Sequence, residues 1–307
     1  MLRRIGARLS TLFNRRPETI YFDTIDPDTI DLDTLPLRQT RRRVFCGCMI
    51  HRELAVLDWR VHELEAVVDA FVVVESTKTH SGKPRRLVRP NEDPRFADLT
   101  GRLHCPIITD SPDGDDPWAR EKHQRASIWT QGIARLDPAD DDLVIISDLD
   151  EVPFPEIVER LAMTDFEQPL FIRPHWFNFD WNGYLGPWEH ASIRIYTAKY
   201  LRTLLGSGHS DEFERGANPG REIRGLNGWH ASWFGNEDTV LDKLASYAHA
   251  AEQGNRKVAA EGTKGVRRRR RSGRDMFGTR PVFANRPRMP VHADRALGNS
   301  KDAPIPV

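Results

Sequence analysis

Three carboxylates, Asp148, Asp150 and Glu151, follow directly on the apolar run Leu143–Ile146. The run is unbroken and rich in β-branched residues, so it reads as a strand buried on both faces, at the centre of a parallel sheet. In extended chain, positions i and i+2 project to the same side, so Asp148 and Asp150 would present their oxygens together. Two bare carboxylates at that separation repel. A hard divalent cation, which takes oxygen ligands, relieves the repulsion. Open α/β sheets bind ligands at the carboxyl ends of such strands. The tripeptide alone says little, because Asp31-Leu32-Asp33 repeats it with no buried strand in front. The competing reading is a strand-end turn in which the acids, Pro153 and Pro155 introduce a helix over 156–161.

Two further stretches carry chemistry. From His175 to Tyr184, aromatic rings interleave with Asn178, Asp180 and Asn182. Sugars bind such surfaces, stacking their C–H faces on rings while hydroxyls meet polar neighbours; the alternative is a hairpin whose aromatics form core. The segment Gly228–Gly235 places His230 between Trp229 and Trp233. By contrast, the five arginines Arg267–Arg271 read as solvated charge, with phosphate binding as the alternative.

The elements that must position these groups can be followed in order. Basic residues 1–16 lack a signal-peptide core and read as a frayed tail or a weak membrane-surface helix. Asp23, Asp28 and Asp33, each followed by Thr, repeat with a period of five, which suits neither helix nor strand, so an extended arm is expected through residue 43. A strand over Val44–Met49, an amphipathic helix over Ala55–Val68 and a strand over Phe71–Val74 form a βαβ unit, which requires a parallel sheet. Thr77–Pro94 is a polar loop, and Leu103–Ile108 a third strand. A helix starts at Asp116-Pro117 and runs to about Leu136. On it Glu121 and Arg125 stand four apart, the spacing of an ordinary ion pair. Strands over Leu170–Ile172 and Ser192–Tyr196, a mobile lid over Gly206–Arg224, a helix over Asp238–Ala251 and a Pro- and Arg-rich tail from Pro281 complete the chain.

Composition narrows the function class. Lys+Arg and Asp+Glu both number 45, so no global charge points to nucleic acid. The three cysteines form neither a disulfide framework nor a zinc pattern, and a reducing cytoplasm is expected. No apolar run approaches the roughly 20 residues that span a bilayer.

Several segments together resemble glycosyltransferase family 17. They are Arg60-x-His62-Glu63-Leu64, Val67-Val68-Asp69-x-Phe71-Val72-x-Val74-Glu75-Ser76, Thr79-x-x-Gly82-Lys83-Pro84 and Trp118-Ala119-Arg120-Glu121-x-x-Gln124-Arg125. Then come Ile145-Ile146-Ser147-Asp148-x-Asp150-Glu151-x-Pro153, Gly228-Trp229-His230-x-Ser232-x-Phe234-Gly235 and Lys243-Leu244-x-Ser246-x-Ala248-His249. The resemblance implies a single α/β domain of the GT-A type over residues 44–280, with a mainly parallel central sheet flanked by helices. It implies a UDP-sugar donor such as UDP-N-acetylglucosamine, a glycan acceptor, inversion to a β linkage and a divalent cation, Mn²⁺ before Mg²⁺. The arm and tail and the want of an anchor set the chain apart from the animal member, as expected of a cytoplasmic, bacterial-type relative.

The same resemblance assigns roles. Asp148 and Asp150 hold the cation, and His230 joins them late in the sequence, a structural histidine being the alternative. Glu75 meets the nucleotide, Lys83 and Arg85 meet phosphates, and Arg120, Glu121, Arg125, Asp148 and Trp229 line the donor pocket; surface ion pairing is the alternative for the charged ones. Trp176 and Trp181 stack on the acceptor. Inversion needs a general base, for which Glu151, Asp180 and Asp238 are unranked candidates. A metal-dependent nucleotidyltransferase would also use strand-end carboxylates, but the turn Cys48–Glu53 lacks the glycines of a phosphate loop. A non-catalytic sugar- or nucleic-acid-binding protein is the remaining alternative.

Overall fold

The computed structural model describes residues 29–206, 220–247, 253–283 and 287–297. The expectations for the basic N-terminus, for most of the Asp-Thr repeat and for the body of the lid fall outside these residues.

Among the described residues eleven strands form one mixed sheet. They are β1 (Thr29–Ile30), β2 (Val44–Met49), β3 (Ala70–Ser76), β4 (Leu103–His104), β5 (Ile107–Ile108) and β6 (Leu143–Ile146), then β7 (Glu151–Pro153), β8 (Leu170–Asn178), β9 (Tyr184–Pro187), β10 (Ile193–Thr197) and β11 (Arg221–Ser232). Their order is β1-β11-β8-β10-β6-β2-β3-β4, with β5 on β3, β7 on β11 and β9 on β8. Helices α1 (Leu54–Leu64), α2 (Pro117–Ser127), α3 (Pro155–Ala162), α4 (Ala198–Gly206), α5 (Glu237–Ser246) and α6 (Gln253–Arg271) flank it. This is the expected α/β domain with a mainly parallel central sheet.

The sheet has a core on each face. Leu143 and Ile145 of β6 pack with Trp59, Val61 and Leu64 of α1 on one side. Val144 and Ile146 pack with Ile128, Ile133 and Leu201 on the other. Strand β6 is thus buried on both faces, as its composition demanded, but it is not inside a purely parallel sheet. It runs parallel to β2 and antiparallel to β10, so the parallel half of the sheet ends there.

Other differences have local causes. The expected strand over Leu103–Ile108 is broken in two, because Pro106 has no N–H to give to a ladder. Asp116 caps α2 at the Trp118 N–H with Pro117 behind it, as expected, yet the helix continues only as a π turn over Ile128–Gly132 and a 3₁₀ turn over Ile133–Leu136. That segment lies against the sheet so closely that a Cβ on Gly47 would sit 2.2 Å from Ile128 Cγ2, and one on Gly132 2.4 Å from Val72 Cγ1. The arginine run is the last turn of α6, which kinks at Gly262. Residues 287–297 pack on α1, where Glu63 accepts the Val291 and His292 N–H groups and Arg295 pairs with Asp58 at 2.9 Å. None of the described helices is long and apolar enough to cross a membrane.

Candidate active site

The three acids that follow β6 lie in a tight turn and not in extended chain. The Glu151 N–H donates to the Asp148 carbonyl at 3.0 Å, and β7 starts at Glu151. The turn is held from beneath by Arg60 of α1, only 1% exposed. Its Nη1 donates to the carbonyls of Asp148 (2.8 Å), Leu149 (3.2 Å) and Glu151 (2.9 Å), and its Nη2 to Ser147 Oγ (2.9 Å). Arg60 thus gives the Leu149 carbonyl its donor and adds a charged one to the Asp148 and Glu151 carbonyls, which also accept from the Glu151 N–H and from Ser147 Oγ.

Above the turn, Asp148 and Asp150 line the same cavity, of about 790 Å³. Asp148 Oδ1 accepts from Arg125 Nη2 at 2.9 Å, and that guanidinium also reaches Glu121 at 3.1 Å. Asp150 Oδ2 accepts from Lys243 Nζ at 2.9 Å, and Lys243 lies 3.3 Å from Glu53 Oε1. Glu53 in turn accepts the His51 and Arg52 N–H groups through Oε2. Burial works against its charge, but Lys243, His51 and the backbone N–H groups of Arg52 and Glu53 outweigh it and hold the carboxyl down at about 2. Burial likewise opposes the Lys243 charge, and Asp150 and Glu53 reverse the balance, so the ammonium titrates above its usual range.

His230 stands on β11, 6% exposed. Its Nε2 lies 2.8 Å from Ser232 Oγ and 3.9 Å from Asp150 Oδ1, and Trp188 meets the ring edge-on at 4.4 Å. Ser232 Oγ also accepts from the Trp176 indole N–H at 3.0 Å. Trp176, Trp188 and Trp233 give the cavity an aromatic wall.

Of the residues singled out in the sequence, Asp148, Asp150, Glu121, Arg125, His230 and Trp176 are brought together around this cavity, and Arg85 reaches it too. The others are not. Glu75 is 1% exposed and is used up by Arg85 (2.8 Å) and the N–H groups of Val88 and Arg89. Arg120 pins the carbonyls of His80 and Gly114, and Lys83 is exposed on the loop. Trp229 lies in the core against Trp59 and Phe154, and Trp181 packs on Trp59 while donating to the Ala293 carbonyl. Glu151, 1% exposed, turns beneath the acid pair and accepts the Asp148 N–H at 3.3 Å. Asp180 closes its own turn on the Asn182 N–H, and Asp238 sits exposed in the first turn of α5.

The sequence reading missed Glu53, Lys243 and Trp188 as members of the site. Lys243 was in view inside Lys243-Leu244-x-Ser246. Glu53 closes the glycine-free turn Cys48–Glu53, where no spacing marks it as a site residue.

Two carboxylates and an imidazole around one cavity suit a divalent cation chemically. Asp150 keeps Oδ1 toward His230 while Oδ2 is engaged by Lys243. The three donors are not gathered to ligand distance of one another. Among the described residues the group whose ligand atoms lie within 4.8 Å of one another is His62, Glu65 and Asp98, none of which lines the cavity.

Comparison with known proteins bears on the whole of this region. The pattern described as Glycosyltransferase family 17 matches residues 17–283. The beta-1,4-mannosyl-glycoprotein 4-beta-N-acetylglucosaminyltransferase of Rattus norvegicus is 31% identical over 234 residues, 68% of this chain and 43% of that protein. Its Homo sapiens counterpart is also 31% identical over 234 residues, 68% of this chain and 44% of that protein. The chain thus spans less than half the length of the curated relatives it matches. Among solved structures, the mannosyltransferase PcManGT from Pyrobaculum calidifontis, in complex with GDP-Man and Mn²⁺, is 13% identical over 89% of this chain and 77% of that one, at a TM-score of 0.40. A 4-diphosphocytidyl-2C-methyl-D-erythritol synthase is 12% identical over 62% of this chain and 90% of that one, at a TM-score of 0.33.

Proposed function

The chain belongs to glycosyltransferase family 17, and from that premise we propose that it transfers a sugar, N-acetylglucosamine first, from a UDP-sugar to a glycan acceptor with inversion to a β linkage. The observation that carries this reading is one cavity that joins the acid pair Asp148 and Asp150, the cations Arg125 and Lys243 and three indole rings. The acid pair suits a nucleotide diphosphate and its counter-ion, and the aromatic wall suits a sugar.

A divalent cation, Mn²⁺ before Mg²⁺, would be held by Asp148 and Asp150 with His230 beside them, and when bound supplies Lewis-acid neutralisation of the leaving diphosphate. The remaining chemistry falls to the chain's own side chains. Arg60 fixes the turn, so the two carboxylates are preorganised and need no reorientation when charge develops. Arg125 steadies Asp148, and Trp176 and Trp188 stack the sugars and exclude water.

Inversion requires a base opposite the leaving group to take the acceptor hydroxyl proton. Glu151, Asp180 and Asp238 lie off the cavity, so this role passes to a carboxylate that lines it. Glu189 lines the cavity next to Trp188, its side chain 49% exposed and paired with Arg280.

The test is a panel of nucleotide sugars incubated with a glycan mixture, with and without Mn²⁺, following nucleoside diphosphate release. Release from UDP-N-acetylglucosamine that depends on Mn²⁺ supports the assignment. Intact donors throughout the panel, under both conditions, would end it.

A further inference from the structure

Lys243 is held in a way that a structural ion pair does not require. An ammonium has three N–H donors, which rotate together about the Cε–Nζ bond. One is given to Asp150 Oδ2 at 2.9 Å and a second faces Glu53 Oε1 at 3.3 Å. No third acceptor for it is found among the described residues, and its side chain is 27% exposed where it lines the cavity. The Trp233 ring lies 5.8 Å from Nζ and walls off one side.

Both tethers are themselves fixed. Asp150 rides on the turn that Arg60 pins, and Glu53 is bound to the His51 and Arg52 amides. Lys243 is carried by α5, whose last turn closes when the Tyr247 N–H donates to the Lys243 carbonyl. Across the acid pair, Arg125 holds Asp148 in the same manner. Each aspartate therefore has a cation at its outer oxygen, and the cavity offers an anion positive charge on both flanks of the turn. Lysine is suited to this use because its compact ammonium meets a phosphate oxygen from any direction.

We propose that Lys243 is a diphosphate ligand, whose third N–H donates to a phosphate oxygen of the nucleotide sugar and lets a nucleoside diphosphate bind with no divalent cation present. This deepens the transferase reading and rests on it. In the transfer step the acceptor hydroxyl oxygen bonds to the anomeric carbon and its proton passes to the base. The bond from the anomeric carbon to phosphate breaks, and its electron pair stays on the phosphate oxygen. Lys243 remains protonated throughout and faces the oxygens on which that charge collects.

The experiment is a calorimetric titration of the full chain in EDTA with UDP and GDP, using uridine and guanosine as controls. Wild type is expected to bind one diphosphate. Lys243→Met should weaken it by about 10- to 100-fold, the worth of one charge-assisted hydrogen bond, and leave the nucleoside unchanged. Lys243→Arg should recover part of the loss. Because Lys243→Met leaves Glu53 without its cation, the double variant Glu53→Gln/Lys243→Met removes both charges together, and a thermal melt confirms that it folds. Equal diphosphate affinity in wild type and in the folded double variant overturns the role of Lys243 and leaves the transferase reading standing. Wild-type binding only when Mn²⁺ is added overturns the same claim. No diphosphate binding under either condition overturns both.

Discussion

Arg60 and His175 show how differently two basic side chains serve one domain. Arg60 answers three carbonyls and a hydroxyl under the acid turn, so Arg60→Ala would strip the turn of its charged donor, take the Leu149 carbonyl's partner away and leave a void under buried polar groups. The expected loss is about 3–5 kcal/mol in urea unfolding, and Asp148 and Asp150 should lose their fixed placement with it. His175 Nδ1 meets the Tyr184 hydroxyl at 3.0 Å and its ring stacks on Phe154, and burial pushes its pKa down to about 4. The unfolded imidazole, near 6.5, takes a proton first, so stability should fall as pH drops from about 6.5 to about 4, by up to ~3 kcal/mol. His175→Gln should flatten that part of the stability–pH curve. At this scale the sequence was legible where chemistry is local. Asp148 and Asp150 could be read from type and strand context. Arg60 could not, because its partners lie about 90 positions away and helical spacing shows only a polar residue. Trp229 and Trp181 misled for the same reason: an indole in polar company looks like a sugar platform until its neighbours in space are known.

Elements with one dominant period were legible, and elements that break period were not. Strands β2 and β6 could be bounded from their apolar runs. Strand β11 could not, since Gly225 and Gly228 and two register shifts against β8 hide its alternation. The arginine run disguised α6, where Arg268 and Arg269 pair with Glu261 and Arg267 with Glu237. The run is therefore largely spent on neighbours within its own lobe. The π turn after α2 is an element-scale device, a helix bent to lie flush on β2 and β3. Gly47→Val should force that contact apart and cost at least ~1–3 kcal/mol in the same unfolding assay, while Gly101→Ala, where no atom lies within 4 Å but φ is +83°, should cost only the smaller backbone strain.

At the scale of the molecule, the cavity is assembled from the two halves of the sheet. The parallel half brings Glu53, Glu121, Arg125 and the acid turn, and the C-terminal half brings Trp176, Trp188, His230 and Lys243. The βαβ pattern foretold the first half and the ligand end of its strands. The second half depends on an antiparallel strand, a bulged strand and helices that return late in the chain, which no short window of sequence encodes. That division explains why acids that line the cavity could be read from the sequence while Glu151, Asp180 and Asp238 lie off it: Asp148 and Asp150 sit on the regular half. The proposed transfer requires those acids to seat a cation for a nucleotide diphosphate. Its most direct test is Mn²⁺ titration by electron paramagnetic resonance, in the presence of UDP, of wild type and of Asp150→Ala shown by its melt to be folded. Loss of the free-ion signal with wild type, and at least ~10-fold weaker uptake by Asp150→Ala, is the predicted result. Equal uptake by the two proteins would contradict it.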